Sequence, residues 1–198
     1  MPQARAQMKW RRLDSAPGFW LHAPMFIPAT DADLAEAAAL INVSYRGEEA
    51  ELGWTHENAH VSGERISAGE LADMLARRPG AHLLLRHDGT AGALVGCVWL
   101  EPRGEGVWYL GLLAVRPNLQ NGGHGRAILE DCEALVQALG GQRIRLTVVH
   151  LRETLIAWYQ RRGYVLTGES EAFPQPDRAL RDLHLVVLER RLRGGSLQ

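Results

Sequence analysis

Cysteine and lysine are nearly missing from this 198-residue chain. Its two cysteines, Cys97 and Cys132, cannot build a disulfide framework. Cys97 lies in an apolar strand and Cys132 on the apolar stripe of a helix, where a small buried hydrophobe is the better reading than a reactive thiol. Net charge is close to absent, at −1, which argues against a general nucleic-acid or membrane-surface binder. Long apolar runs are lacking too, and a run such as Ala93 to Leu100 is far too short to span a bilayer. The first residues are basic in part but carry no apolar core of a secretory signal, so a cytoplasmic protein is expected. Neither an internal repeat nor a clear interdomain linker is present. What remains is a globular composition, 46% hydrophobic and 23% charged, with enough length for one domain and a sizeable core.

Residues 1–20 are aperiodic and read as a loosely ordered lead-in, followed by one domain over 21–192 and a tail at 193–198. His22 to Ile27 reads as a strand. Thr30 with Asp33 makes a capping-box-like pair, and Leu34, Ala38, Ile41 and Tyr45 share one helical face after it. Ser67 with Glu70 opens a second helix with Leu71, Met74 and Leu75 inward, stopped by Pro79-Gly80. His82 to His87 and Ala91 to Glu101 read as strands joined near Asp88-Gly89, and Pro102 to Gly106 as a turn into the strand Val107 to Val115. A helix over Arg126 to Leu139 places Ile128, Cys132, Leu135 and Leu139 on one face. Strand Arg143 to Val149, helix Glu153 to Arg161 and strands Tyr164 to Gly168 and Leu183 to Glu189 complete a mixed α/β protein. The order strand, helix, strand between Val107 and Val149 requires a parallel crossover.

The run Gln120-Asn121-Gly122-Gly123-His124-Gly125-Arg126 carries the most information. It joins a strand to a helix. A glycine-rich turn there leaves main-chain N–H groups unpaired at the positive end of a helix dipole, a ready site for phosphate or pyrophosphate. Gly123 and Gly125 let the backbone approach an anion closely. Two familiar phosphate loops do not fit. The Gly-Lys-Ser/Thr of a Walker loop is absent, and the third glycine of the dinucleotide fingerprint would fall on Ile128.

What fits is Gln/Arg-x-x-Gly-x-Gly/Ala, filled by Gln120, Gly123 and Gly125. Leu112 to Gly125 resembles the acyl-CoA signature of the GNAT superfamily of N-acyltransferases. Leu155 to Tyr164 resembles that family's second signature, a helix ending in Tyr-x-x-x-Gly-aromatic. The resemblance covers roughly Met25 to Arg191. It implies a GNAT-like α/β fold with a mostly antiparallel sheet and one splayed parallel strand pair. It also implies acetyl-CoA as co-substrate, with the pantetheine arm in the gap beside Leu113, Ala114 and Val115. By the same resemblance, Gln120, Asn121, Gly122, Gly123, His124, Gly125 and Arg126 hold the pyrophosphate, and a homodimer is expected. Where the family often has an asparagine, seven residues before its signature tyrosine, this chain has Arg152, which could reach a CoA phosphate, the acceptor or solvent. Among the nearby arginines, Arg143, Arg145, Arg161 and Arg162, some could meet the 3′-phosphate of CoA. With Lys9 as the only lysine, self-acetylation of lysine has a single target.

Acyl transfer from a thioester to an amine needs loss of an amine proton, donors for the oxyanion and stabilisation of the leaving thiolate. No metal is required. Tyr159 occupies the signature tyrosine and suits the thiol step, since a phenol can donate to a thiolate without itself being ionised. The base is less determined. Glu57 is one candidate, Glu101 and Glu105 read as exposed turn residues, and water or a backbone carbonyl could serve. Trp54, His56 and Glu57 are the pocket candidates of the polar stretch Arg46 to Arg65. Two rival readings exist. His56-Glu57-Asn58-Ala59-His60 matches the zinc-hydrolase string, although its flanks do not read as a long helix. A GNAT-like domain could also bind acyl-CoA without catalysis, as a sensor or interaction module. The acceptor, a small-molecule or peptide amine, is not chosen by the sequence.

Overall fold

A computed structural model describes residues 26–88 and 92–192. His22 to Met25 of the expected first strand, most of the turn at Gly89, the lead-in at 1–20 and the tail at 193–198 lie outside the described residues. Seven strands form one sheet in the order β1-β2-β3-β4-β5-β7-β6. They are β1 (Phe26–Pro28), β2 (His82–His87), β3 (Leu94–Gly104), β4 (Val107–Val115), β5 (Arg143–Val149), β6 (Val165–Ala172) and β7 (His184–Arg191). Every neighbouring pair is antiparallel except β4 with β5. The helices are α1 (Leu34–Tyr45), α2 (Ala68–Arg77), α3 (His124–Ala138) and α4 (Glu153–Gln160). No helix among the described residues is long and apolar enough to cross a membrane.

The central strands are apolar on both faces because both faces are covered. Leu83, Leu85, Cys97 and Trp99 pack with Leu34, Ile41 and Leu71 of α1 and α2. Leu84, Val98 and Leu100 point the other way, into a core with Ile128, Leu129, Cys132 and Val136 of α3 and Tyr159 of α4. Strands buried on two sides lose the apolar/polar alternation, which explains the unbroken run around Leu94 to Leu100. Both cysteines are free and buried. Burial pushes the Cys97 thiol up to about 12 and the Cys132 thiol well above its ordinary range, so both behave as small hydrophobes.

Both capping pairs form. Thr30 N–H donates to Asp33 Oδ2 at 2.7 Å, ahead of a single 3-10 turn, Asp31–Asp33, that leads into α1. Glu70 N–H donates to Ser67 Oγ at 3.2 Å, and Ser67 N–H donates to Glu70 Oε2 at 2.7 Å. Three expectations need correction. β3 runs on to Gly104, so Pro102 lies in a strand and not in a turn. Leu139 is exposed, and the buried stripe of α3 closes on Val136 instead. Glu101 is buried: the Trp99 indole donates to it at 3.1 Å, and Arg78 and Arg103 lie 3.5 and 3.3 Å from its carboxylate. It does not line the cleft described below.

β4 and β5 pair only from Val107 to Tyr109 on β4 and from Arg143 to Arg145 on β5, and then part. A bulge in β4 accompanies the parting. Cys97 faces Ala114 and Trp99 faces Gly111, so two residues, Leu112 and Leu113, oppose one on β3. Leu112 sits in the left-handed region, at φ 47°, which a branched side chain adopts only when its surroundings hold it there. The expected splayed pair is therefore present, and it opens toward the start of α3.

Candidate active site

The gap between β4 and β5 continues into a cleft of about 580 Å³, within the range of small-molecule sites. Leu113, Ala114 and Val115 form one wall, Leu146 to Val149 another, and Gln120, Asn121, Gly123, Gly125 and Arg126 the phosphate-loop end. The loop is built differently from a simple turn. Pro117–Gly122 form a 3-10 stretch, and Gly123, at φ 81°, turns the chain into α3. A side chain at Gly123 would be conformationally strained whatever the space around it. The first α-helical hydrogen bond runs from Ala127 N–H to the Gly123 carbonyl at 3.0 Å. The amides of His124, Gly125 and Arg126 are thus left without an intrahelical acceptor at the positive end of a 15-residue helix.

Cations gather beside those amides. Arg126, Arg161 and Arg162 line the cleft. Arg162 stacks on the Trp158 ring at 3.7 Å and donates to the Trp158 carbonyl at 2.7 Å, but its Nε is buried without a hydrogen-bond partner. Burial, then the positive charges of Arg161 and Arg126, hold Arg162 below its ordinary pKa. An anion placed here would meet the free amides at the start of α3 and relieve the crowding of Arg162 by Arg161 and Arg126, the last already paired with Glu130 at 2.8 Å. The residues present therefore fit a pyrophosphate. Arg143 and Arg145 instead lie beside Glu189, and Arg145 also beside Glu169.

Not every residue of the loop faces the cleft. Gly122 and His124 do not line it, and the His124 ring lies over Gly122. The Gln120 side chain braces the surrounding backbone. Its Oε1 accepts from the Trp54 N–H at 3.0 Å, and its Nε2 reaches the Val115 carbonyl at 3.4 Å. Gly53 makes room for it, since a β-carbon there would overlap the Gln120 amide.

Tyr159 lines the cleft from α4. Its ring makes edge contacts with Trp158 and Tyr164, at centroid distances of 4.9 and 5.6 Å. Burial raises its pKa well above that of a free phenol, so it stays protonated. Among the described residues no hydrogen-bond partner occupies its hydroxyl. The aromatic residue that closes the second signature, Tyr164, is core: it donates to Glu133 at 3.2 Å.

Glu57 is buried, at 5% exposure, and is the only carboxylate among the described residues that line the cleft. Arg46 Nε and Nη2 both donate to its Oε2 at 3.1 Å, and Arg152 Nη1 donates to Oε1 at 3.2 Å. Arg152 also donates to the Thr55 hydroxyl at 2.5 Å. Its guanidinium is thus turned to Glu57 and Thr55 rather than to the glycine loop. Arg46 reaches further, to the Glu64 carbonyl at 2.9 Å and Gln175 Oε1 at 3.1 Å, and so ties three loops together. Trp54 lines the cleft and lies 6.2 Å from Trp158, whereas His56 is not part of the lining. The zinc reading lacks its geometry. Residues 56–60 form one turn and no helix, Glu57 is committed to two arginines, and no group of three or more metal-ligating side chains is found among the described residues.

Three residues at this end were not singled out in the sequence: Ser44, Arg46 and Arg65. Ser44 Oγ lies 2.7 Å from the Leu40 carbonyl and 3.0 Å from the Val115 carbonyl, and the hydroxyl of neighbouring Tyr45 donates to the Leu113 carbonyl at 3.3 Å, which sets α1 against the bulged strand. Burial raises the Tyr45 pKa to about 12.

A profile of the Acetyltransferase (GNAT) family matches residues 44–164. No curated protein sequence matches the chain. Among solved structures, similar folds include a GNAT superfamily phosphinothricin acetyltransferase from Sinorhizobium meliloti in complex with AcCoA. It is 18% identical, with a TM-score of 0.61 over 87% of this chain and 90% of that one. The ribosomal-protein-S18-alanine N-acetyltransferase from Escherichia coli is also 18% identical, with a TM-score of 0.59 over 87% of this chain and 97% of that one. A GNAT family acetyltransferase from Elizabethkingia anophelis with acetyl-CoA bound is 18% identical, with a TM-score of 0.53 over 62% and 82%. At such identities these likenesses speak to the fold, and the matched profile, which spans more than half of the chain, speaks to descent. The chain belongs to the GNAT family of acetyltransferases.

Proposed function

We propose that the chain moves an acetyl group from acetyl-CoA to a primary amine of a small molecule or peptide, by direct attack within one cleft. The observation that carries this reading is the meeting of three features: a splayed strand pair, a helix start with unsatisfied amides, and a buried guanidinium nitrogen with no partner. Acetyl-CoA supplies the acyl group as a thioester, whose C–S bond breaks as the C–N bond to the amine forms.

The chain's own residues then divide the work. The amides at Gly125 and Arg126 hold the pyrophosphate, with charge from Arg126, Arg161 and Arg162. Leu113 to Val115 align the pantetheine arm and the thioester along the bulged strand. Tyr159 donates its phenolic proton, or a hydrogen bond, to the departing sulfur. Arg46, Glu57 and Arg152 act as one ion-paired group that shapes the acceptor wall. Both Glu57 oxygens are engaged by arginines, which supports a route for the amine proton through water or a backbone carbonyl of the cleft. Residues 21–192 work as one acetyltransferase unit, a reading supported by the single continuous sheet.

The acceptors named for the two similar enzymes, a ribosomal-protein alanine and phosphinothricin, differ too much to select one here. The test is release of CoA thiol from acetyl-CoA across a panel of amines. Amine-dependent release with formation of the N-acetyl product is the expected result. Acetyl-CoA binding with no release across a broad panel favours a binding module.

A further inference from the structure

The far end of the cleft carries an unspent cation. Arg65 lines the cleft and is half-buried, and among the described residues its guanidinium has neither a carboxylate nor a hydrogen-bond acceptor. Its guanidinium carbon lies 5.6 Å from the centroid of the Tyr45 ring. The other arginines of this region are occupied: Arg46 and Arg152 both grip Glu57. We propose that the acetyl acceptor is a primary amine that also bears a carboxylate, and that Arg65 holds that carboxylate. The proposal rests on the acetyltransferase reading and names the substrate class of the same cleft.

Position and rigidity support it. The Arg65 and Ile66 amides both donate to Asn42 Oδ1, at 2.8 and 3.0 Å, and Asn42 Nδ2 donates back to the Ile66 carbonyl at 2.9 Å. Gln175 Nε2 reaches the Arg65 carbonyl at 3.4 Å. The backbone beneath Arg65 is therefore clamped to α1, and the guanidinium is presented from a fixed base. The Tyr45 ring centroid lies 5.6 Å from the Arg65 guanidinium carbon and 5.8 Å from that of Arg152. That same tyrosine donates to the Leu113 carbonyl on the strand that aligns the thioester. An anion on Arg65 is thus one aromatic residue away from the acyl end of the cleft.

Charge balance points the same way. Arg46 and Arg152 are both paired with Glu57, Arg65 makes no ion pair among the described residues, and the cleft lining there holds no second acid for an ammonium group to pair with. A polycationic acceptor would be repelled. An amine with its own carboxylate brings the missing negative charge, and Phe173 and Leu185 on the adjoining wall accept an apolar side chain. A guanidinium that pairs with a carboxylate in a partly enclosed site discriminates by roughly 10- to 100-fold against the uncharged analogue.

The experiment uses the full chain with saturating acetyl-CoA and matched acceptors: α-amino acids, their carboxamides and their decarboxylated amines. The expected result is a kcat/KM at least about tenfold higher for the acids. Arg65→Gln raises KM for the acids by roughly 10- to 100-fold, leaves the carboxamides and the KM for acetyl-CoA unchanged, and Arg65→Lys restores part of the loss. Equal or better turnover of the carboxamides or decarboxylated amines by the wild type overturns the proposal, as does an Arg65→Gln defect shared by all acceptors. Calorimetric binding of acetyl-CoA to the same samples separates the two levels. If acetyl-CoA binds and only amines without a carboxylate are acetylated, this inference fails alone. If no amine is acetylated, or acetyl-CoA does not bind, the acetyltransferase reading fails with it.

Discussion

Arg152 donates to Glu57 at 3.2 Å across 95 residues of sequence, and both side chains are less than a tenth exposed. A buried carboxylate between two guanidiniums is held by geometry, and removing it strands both cations. Glu57→Gln is expected to lower stability by about 3 kcal/mol, read by denaturant unfolding. It is also expected to raise the acceptor KM while leaving the ionisation limbs of the kcat pH profile in place. Loss of a limb in the variant would restore Glu57 as the general base.

Tyr159 carries the thiol step in this account. Tyr159→Phe keeps the ring packing against Trp158 and Tyr164 and removes only the hydroxyl. The expected fall in kcat is about a hundredfold, the lower end for a general acid, with the acetyl-CoA Kd nearly unchanged. An unaltered kcat removes the acid role.

Gly123 turns the chain at φ 81°. Gly123→Ala should strain that turn by about 1 kcal/mol and displace the amides beyond it. Acetyl-CoA affinity is expected to drop roughly tenfold, comparable to one charged hydrogen bond, while the melting temperature moves by only a few degrees. Calorimetry and thermal melts on the same preparation check both halves.

Phenol titration offers an independent reading of burial. Tyr45 is raised to about 12, and Tyr159 and Tyr164 are raised further. A folded-state pKa above the unfolded value means that the neutral phenol stabilises the fold below pH 10, and that this contribution is lost as pH climbs toward 12. Ultraviolet titration at about pH 11, between the free and the buried phenol, should therefore show Tyr45, Tyr159 and Tyr164 still largely protonated in native protein, and ionised once guanidinium unfolds it. Full ionisation in the native state contradicts the packing described.

The parts of the site that were legible in the sequence are local in sequence. Gln120 to Arg126 and Leu155 to Tyr164 each lie within one turn and one helix start or end, so the resemblance of each to a family signature could be seen in a short run of sequence, and both contribute residues to the cleft. The β4 boundaries were legible for the same reason, with Gly106 before the strand and Pro117 just beyond it. The acceptor end was not legible. Arg46 reads as an ordinary loop residue until it is seen joining Glu57, Glu64 and Gln175, segments brought together only by tertiary folding. Glu101 misled because its burial depends on Trp99 and on Arg78, which comes from a distant turn of the chain. Gln120 shows a motif residue with a second duty, since its amide braces Trp54 and no spacing rule announces that.

Isothermal titration of well-folded protein with acetyl-CoA reads out whether the start of α3 binds the coenzyme. Saturable one-to-one binding is expected, weaker in Gly123→Ala and in Arg162→Gln and retained in Tyr159→Phe. No heat of binding from a cooperatively melting sample would contradict it.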